Sequence, residues 1–161
     1  MNQIAKLLPL SNILLDLDAT SKKRLFEQAG LIFENHQGIA RSTVFDSLFA
    51  REKLGSTGLG QGVAIPHGRV KGIKNAIGAL VRLVHPVAFD APDGKPVSVI
   101  FVLLVPEQAT ELHLQILSEL AQLLSDADMR EQINLESDAT VLHQKLITWS
   151  ENAADQRRAA V

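Results

Sequence analysis

The sequence predicts an α/β sandwich in a single domain, because strand-like apolar segments alternate along the chain with amphipathic helical segments. The chain has 161 residues, of which 46% are hydrophobic and 21% charged. That length and composition suit one domain with a sizeable core. We expect the domain to cover residues 1–150 and a polar, frayed tail to cover residues 151–161.

The predicted strands differ in the pattern of their apolar residues. Residues 12–17 are predicted to form a short strand. In residues 76–89, apolar residues alternate with smaller or polar ones, as in a strand with one exposed face, and turn-forming residues follow. Residues 97–105 are apolar throughout, which predicts a central strand covered on both faces.

Two helices are predicted before the glycine-rich part of the chain. Thr20 or Ser21 caps the first helix, which ends near Gly38. Ser42 caps the second, which carries Arg51 in its last turn and ends at the next glycine along the chain. Arg51 is therefore expected beside the glycine-rich segment.

Three helices are predicted after residue 106. Thr110 caps the first, which places His113 in its first turn, on the stripe that faces the interior. The second lies around residues 129–135, and the third is capped by Ser137 and runs to about Trp149. His113 is thus expected near the positive end of a helix.

Composition and charge argue against several classes of protein. The chain has no cysteine, so it forms no disulfide and has no thiolate, which suits the cytoplasm. The longest apolar run, residues 97–106, is far shorter than the roughly 20 residues that span a bilayer, and the N-terminus lacks a signal-peptide cleavage site. The net charge of -2 argues against general nucleic-acid binding. We expect a soluble, cytoplasmic protein without membrane insertion.

Residues 54–69 hold five of the ten glycines and place His67 between Pro66 and Gly68. Proline fixes φ and lacks an N–H, and glycine permits backbone geometry closed to other residues, so we expect a turn that holds the imidazole at a set angle. Residues 51–74 carry five basic residues and one acidic residue, a local charge of +4. This surplus fits either solvated side chains or a site for an anion or an acidic partner.

Two of the five histidines have surroundings that suggest chemistry. His36 and His143 are expected on the surface, and His85 at the end of a strand. His67 and His113 differ because one follows the glycine-rich segment and the other faces inward at a helix start. A neutral imidazole has a free lone pair at cytoplasmic pH and can attack a phosphoryl group.

A phosphorylated histidine would need hydrogen-bond donors around its anionic group. The sequence offers Arg51, His113 with its helix start, and the hydroxyls of Ser56 and Thr57. Backbone N–H groups of the glycine-rich segment are further candidates. These residues are the predicted phosphate-binding shell of His67.

Competing chemistries have weaker support in the sequence. The glycines at 58, 60 and 62 lack the full spacing of a dinucleotide fingerprint, and the chain has neither a G-K-[ST] phosphate loop nor a G-x-S-x-G elbow. No H-E-x-x-H motif or close histidine pair indicates a metal. A metal or small-molecule enzyme that uses His67 and His113 stays open on the residues alone.

Two motifs together resemble a known family. Residues 51–69, REKLGSTGLGQGVAIPHGR, resemble the active-site signature of the fructose/mannitol/nitrogen class of IIA proteins in the bacterial phosphoenolpyruvate-dependent phosphotransferase system. HLQIL, from His113, resembles the second-histidine motif of that class. The resemblance extends over roughly residues 8–150 and is closest to nitrogen-type members. It implies a sandwich of a mixed β-sheet flanked by helices.

The resemblance also implies roles for individual residues. His67 matches the phosphorylated histidine, with the tele nitrogen, Nε2, as the expected position, although the residues themselves do not choose between the two ring nitrogens. His113 matches the second active-site histidine and Arg51 the arginine that helps to hold the phosphoryl group. Ser56 and Thr57 match the small polar residues of the same loop. Neither a metal nor an organic cofactor is implied.

The implied partners follow from the family. The donor would be a histidine-phosphorylated carrier, HPr or its nitrogen-branch equivalent NPr. In nitrogen-type members the output is regulation of nitrogen metabolism and potassium homeostasis through phosphorylation-dependent binding. In sugar-type members the phosphoryl group passes to a IIB domain. We expect a phosphocarrier with a regulatory output rather than a free-standing turnover enzyme.

Overall fold

A mixed six-stranded sheet forms the centre of the computed structural model, which describes residues 2–108 and 111–150. The strands are β1 (Ile13–Leu17), β2 (Gly58–Gly60), β3 (Val63–Ala64), β4 (His67–Val70), β5 (Ile77–Val87) and β6 (Val97–Pro106). The helices are α1 (Ile4–Leu7), α2 (Lys22–Gln37), α3 (Arg41–Glu52), α4 (Glu111–Ser125), α5 (Ala127–Leu135) and α6 (Ala139–Thr148), with a 3₁₀ turn at Leu10–Asn12. The predicted tail, 151–161, lies outside the described residues.

The strand order is β1-β5-β6-β3-β2, and β4 also pairs with β6. β5 is antiparallel to β6 and β2 to β3, whereas β1 is parallel to β5, and β3 and β4 are parallel to β6. Helices cover both faces of this sheet. The predicted α/β sandwich with a mixed sheet flanked by helices is confirmed.

Strand β6 separates the two halves of the hydrophobic core. Phe101 and Leu103 pack into the half that contains α1, α4, α5 and α6, and Ile100 and Val102 pack into the half that contains α2 and α3. All four residues are at most 1% exposed. The prediction of a central strand covered on both faces is confirmed, because successive side chains point to opposite faces of a sheet.

Strand β5 does not have the exposed face that its alternating pattern predicted. It lies between β1 and β6, and its residues 78–83 are all buried. The polar residue in this stretch, Arg82, is 8% exposed. Its guanidinium pairs with both carboxylate oxygens of Asp16 and donates to the carbonyl oxygens of Ile133 and Glu136. A buried charge is tolerated there because its donors are satisfied.

Helix α3 begins and ends earlier than predicted. Ala40, not Ser42, is its N-cap residue, and its last residue is Glu52, followed by a cap at Lys53. The preceding helix supplies the missing cap, because the Glu34 carboxylate accepts the backbone N–H of Arg41 at 2.8 Å and also binds its side chain. The prediction of a Ser42 cap was therefore wrong.

The other helix boundaries are close to the prediction. Ser21 caps α2 by accepting the N–H of Arg24, and Gly38 ends it in the left-handed conformation. At the start of α6 the cap is Asp138, whose carboxylate accepts an N–H at 2.9 Å, and not Ser137 as predicted. The proposed cap of α4, Thr110, lies outside the described residues.

The glycine-rich segment forms three short strands rather than a loop that leads to a turn. His67 begins β4, which pairs with β6 from Leu103 to Pro106. Gly68 does not have a positive φ. It is needed because α3 lies directly against it: a Cβ atom there would be 2.9 Å from both the carbonyl carbon and the oxygen of Ser47. The Ser47 hydroxyl adds a hydrogen bond to the carbonyl oxygen of Arg69 at 2.7 Å.

The close packing at Gly68 gives a test of the fold. Gly68→Ala should lower the free energy of unfolding by about 1–3 kcal/mol, because the added methyl group overlaps the backbone of α3. Urea denaturation of wild type, Gly68→Ala, Ser47→Ala and the double variant would measure it. Removing the Ser47 hydroxyl should restore only part of the loss, since the backbone overlap remains. A Gly68→Ala variant as stable as wild type would contradict the argument.

Candidate functional site

His67 is the first residue of β4 and follows directly after Ile65 and Pro66, the two residues that separate β3 from β4. Pro66, between β3 and β4, has no N–H, and its carbonyl oxygen accepts the N–H of Leu103 at 2.9 Å. The His67 ring is partly buried, and its Nδ1 lies 2.8 Å from the carbonyl oxygen of Ile65. A carbonyl oxygen only accepts, so Nδ1 must carry the hydrogen. In the neutral ring the lone pair is therefore on Nε2.

The surroundings keep the His67 ring neutral. Burial lowers the pKa of His67 below its ordinary value, against the hydrogen bond to Ile65, which raises it. The positive charge of Arg51 lowers this pKa further, and the negative charge of Glu52 acts in the opposite direction. The net shift is downward, so at neutral pH the ring has a lone pair available for attack.

Arg51 occupies the last turn of α3, one helical turn after the Ser47 contact with β4. Its Nη1 donates to the carbonyl oxygen of Gly55 at 2.9 Å, which holds the guanidinium beside the glycine-rich segment. Together with His67 and His113 it lines a cavity of about 520 Å³. The structure thus brings these three sequence-predicted side chains to one place.

His113 is in the first turn of α4 and is 7% exposed, as its position on the inward stripe predicted. It lines the same cavity as His67 and Arg51, which also includes Arg69. Leu114, 68% exposed, stands at the edge of that cavity. Two histidines and two arginines therefore line the cavity together with apolar residues, a setting that favours an anion.

Ser56 and Thr57 line a smaller hollow of about 340 Å³ that also includes His67 and Arg51. Their hydroxyl hydrogens point elsewhere. Ser56 Oγ donates to the carbonyl oxygen of Phe89 at 2.5 Å, and Thr57 Oγ1 donates to Glu52 Oε2 at 2.6 Å. A hydroxyl has one hydrogen to donate, so either group would have to give up this bond to bind a phosphoryl oxygen.

Several backbone N–H groups of the glycine-rich segment are also in use. The N–H of Gly55 binds the carbonyl oxygen of Glu52, that of Thr57 binds Glu52 Oε1, and that of Gly58 binds Ser56 Oγ. These three groups do not form the anion-binding shell that the sequence suggested. The cationic side chains of the cavity are better placed for that task.

Glu52 is the important residue near the site that the sequence analysis missed. Its side chain is only 5% exposed, and it pairs with Lys22 Nζ at 2.9 Å. The ammonium group of Lys22 also donates to the carbonyl oxygen of Phe89 and lies 4.5 Å from the centre of the Phe89 aromatic ring. The available signal was one acidic residue, directly after Arg51, in a segment with five basic ones.

The remaining histidines lie away from this cavity. His36 is exposed, with Nδ1 3.1 Å from Asn12 Oδ1, and His85 is exposed near the end of β5. His143 was predicted on the surface, but it is partly buried and donates from Nε2 to the carbonyl oxygen of Leu8 at 2.8 Å. It ties α6 to the N-terminal segment.

Within residues 2–108 and 111–150, no three histidine or acidic side chains come together in a way that would hold a metal ion. None of the helices described has both the length and the apolar character needed to cross a membrane.

Comparison with known proteins identifies relatives along most of the chain. Residues 6–148 match the family described as phosphoenolpyruvate-dependent sugar phosphotransferase system, EIIA 2. A nitrogen regulatory protein of Pseudomonas aeruginosa is 43% identical over 148 residues, which cover 91% of this chain and 96% of the relative. The nitrogen regulatory protein of Escherichia coli is 38% identical over 137 residues, which cover 84% and 83%.

Solved structures agree with these sequence matches. The crystal structure of nitrogen regulatory protein IIA-Ntr from Neisseria meningitidis has 57% identity and a TM-score of 0.84, and the match covers 89% of this chain and 98% of that one. IIA mannitol from Escherichia coli shares the fold at 21% identity, with a TM-score of 0.69 and coverage of 84% and 96%. On the family match, the extent of these alignments and the shared fold, this chain belongs to the EIIA 2 family of the phosphoenolpyruvate-dependent phosphotransferase system.

Proposed function

We propose that this protein is a nitrogen-type phosphocarrier that accepts a phosphoryl group on Nε2 of His67. The observation that carries the proposal is the geometry of that ring. Its Nδ1 is held by the carbonyl oxygen of Ile65, and the ring lines a cavity with Arg51 and His113. A neutral imidazole with one nitrogen fixed presents its other nitrogen as a nucleophile.

The transfer step needs no group beyond the donor and this side chain. The Nε2 lone pair attacks the phosphorus of a phosphohistidine on the carrier, and a new N–P bond forms. The N–P bond to the carrier breaks, and its electron pair returns to the carrier's imidazole, which leaves as a neutral ring because its other nitrogen carries a proton. The Nδ1 proton stays on His67 in its hydrogen bond with Ile65. Arg51 and His113 stabilise the incoming negative charge.

The surface around the cavity suits a protein donor such as HPr or NPr. Leu54 and Leu114 line the cavity and are 84% and 68% exposed. Arg69, also exposed, lines it as well. An apolar rim supplies contact area, and the cations attract the phosphorylated loop of a carrier. We assign no nucleic-acid partner to this surface.

A regulatory output is supported by the relatives named nitrogen regulatory protein. We propose that phosphorylation controls binding to regulators of nitrogen metabolism and potassium homeostasis. The physical basis is a change of charge: a phosphoryl group adds about two negative charges beside Arg51 and Arg69. A partner that binds the basic surface would then be repelled, and a basic partner attracted.

The first test is phosphorylation itself. Incubation with phosphoenolpyruvate, enzyme I and the carrier should add one acid-labile phosphoryl group, and NMR should place it on Nε2. His67→Ala should abolish the gain, since the nucleophile is absent. His85→Ala is the matched control, because His85 is exposed and outside the cavity, and it should be phosphorylated like wild type. A mass gain that survives in His67→Ala would refute the assignment of the acceptor.

The second test is the pH dependence of the His67 ring. Because its pKa is lowered, we expect His67 to titrate below about 6.5 in an NMR experiment and to stay neutral throughout the neutral range. As the pH falls through about 6.5, His67 is protonated in the unfolded chain before it is protonated in the folded chain. Acidification in this range therefore lowers the free energy of unfolding.

Variants of Arg51 separate the causes of this shift. Arg51→Ala should raise the pKa of His67, because a repelling cation is lost, and Arg51→Lys should change it less. A His67 pKa above the ordinary value for histidine in the wild type would contradict the partly buried environment of this ring. An unchanged pKa in Arg51→Ala would contradict the electrostatic role of Arg51.

The alternative function is sugar transport, in which the phosphoryl group passes on to a IIB domain. The family description includes sugar phosphotransferase proteins. For a regulatory protein we expect no transfer above background when the phosphorylated form is mixed with a fructose- or mannitol-type IIB domain. A sugar-type IIA protein, phosphorylated in the same way, is the positive control. Rapid transfer from this chain would favour the relay function instead.

A further inference from the structure

A continuous chain of hydrogen bonds runs from a buried ion pair to the ring of His67. Lys22 Nζ binds Glu52 Oε1 at 2.9 Å, and the Glu52 carboxylate accepts the N–H and the hydroxyl of Thr57 at 3.1 and 2.6 Å. The carbonyl oxygen of Thr57 accepts the N–H of Ile65 at 3.0 Å. The carbonyl oxygen of Ile65 accepts from His67 Nδ1 at 2.8 Å.

We propose that Glu52 is a positioning residue for His67. Acting through Thr57 and Ile65, it holds the hydrogen of the imidazole on Nδ1 and so keeps the Nε2 lone pair directed at the cavity. This inference rests on the proposed phosphocarrier function for its consequence, but the state of the unphosphorylated ring tests it separately.

Ile65 is the residue through which Glu52 would act on the ring of His67. It lies between β3 and β4, and the next residue, Pro66, has no N–H to add to the ladder. The bond from the Ile65 N–H to Thr57 restrains the backbone on one side of Ile65, and the bond from the Leu103 N–H to the Pro66 carbonyl oxygen restrains it on the other, so together they limit the direction of the Ile65 carbonyl group. That carbonyl oxygen is the acceptor that selects the tautomer of His67.

The carboxylate of Glu52 is suited to anchor Thr57 because it is buried and fully engaged. Its side chain is 5% exposed, and its two oxygens accept three hydrogen bonds, one of them from a cation. A charged acceptor makes stronger bonds than a neutral one, and burial keeps water from replacing them. Lys22 has further contacts with Phe89, so the loss of the Glu52 charge leaves its ammonium group with a partner.

The experiment compares Glu52→Gln with wild type in two measurements. Nitrogen-15 NMR of the unphosphorylated protein reports which ring nitrogen of His67 carries the hydrogen, and a carrier assay gives the initial rate of phosphorylation. We expect a mixed tautomer in place of a single one and a rate about tenfold lower. Glu27→Gln is the matched control, since it removes another ion-paired carboxylate, whose partner Arg24 lies on the same helix, α2, and it should leave both measurements unchanged.

Thr57 provides a second variant that keeps the ion pair intact. Thr57→Val removes the hydroxyl donated to Glu52 and should shift the tautomer in the same direction, with a rate about threefold lower, and Thr57→Ser should restore both. This pair decides the matter even where Glu52→Gln does not fold.

The outcomes distinguish this inference from the proposed function. An unchanged tautomer in folded Glu52→Gln, or in Thr57→Val, overturns the positioning role. Slower transfer with an unchanged tautomer also overturns it, and would instead indicate that Thr57 contacts the phosphoryl group directly. If wild type takes up no phosphoryl group at all, the proposed function fails, and the tautomer of the resting ring still tests the role of Glu52.

Discussion

The contact between α3 and β4 at Gly68 sets the geometry of the site. The backbone of α3 at Ser47 lies against a residue that has no side chain, and a hydrogen bond from Ser47 to the next residue of the strand fixes the approach. Arg51 follows Ser47 by one helical turn, so it projects from the same side of the helix. The neighbour of Gly68 in β4 is His67. The cation and the imidazole are thus held by two regular elements and not by a flexible loop.

The same surroundings serve both states of the proposed reaction. Before transfer, partial burial and the Arg51 charge both lower the pKa of His67 and keep a lone pair on the ring. After transfer, a cation that repelled a proton attracts a phosphoryl group. The site therefore needs no rearrangement of charge between a neutral nucleophile and its anionic product, which is the advantage of fixed rather than recruited charges.

The local pattern of apolar and polar residues predicted much of the fold. It failed for the parts of the fold whose contacts come from distant segments of the chain. The apolar run of β6 and the inward face of α4 were readable because each depends on its own residues. The burial of β5 could not be predicted in this way, because the hydrogen-bond partners of Arg82 come from β1 and from the end of α5. Likewise the glycines before His67 suggested a turn, although β3 and β4 pair with β6, 36 residues further along the chain, and β2 pairs with β3.

The candidate site shows the same division. Motif resemblance and helix position were enough to bring His67, Arg51 and His113 together as expectations, and the structure has all three in one cavity. The sequence did not show that the hydroxyls of Ser56 and Thr57 already have acceptors. Hydrogen-bond partners depend on side-chain direction, which composition and spacing do not encode. Nor did the sequence indicate that Glu52 turns inward while Arg51, its neighbour, lines the cavity.

Several hydrogen-bond donors of the glycine-rich segment already have acceptors within the protein, and this matters for a phosphocarrier. If its hydroxyls and backbone N–H groups all pointed at His67, a phosphoryl group would be bound as tightly as a ligand in an anion nest and would be slow to leave. Here several of these donors hold the segment itself together, and the charge of the phosphoryl group would be met mainly by a few side chains around an open cavity. Partial neutralisation leaves the group available for onward or reverse transfer. It also leaves part of the negative charge exposed on the surface, where a protein partner can detect it.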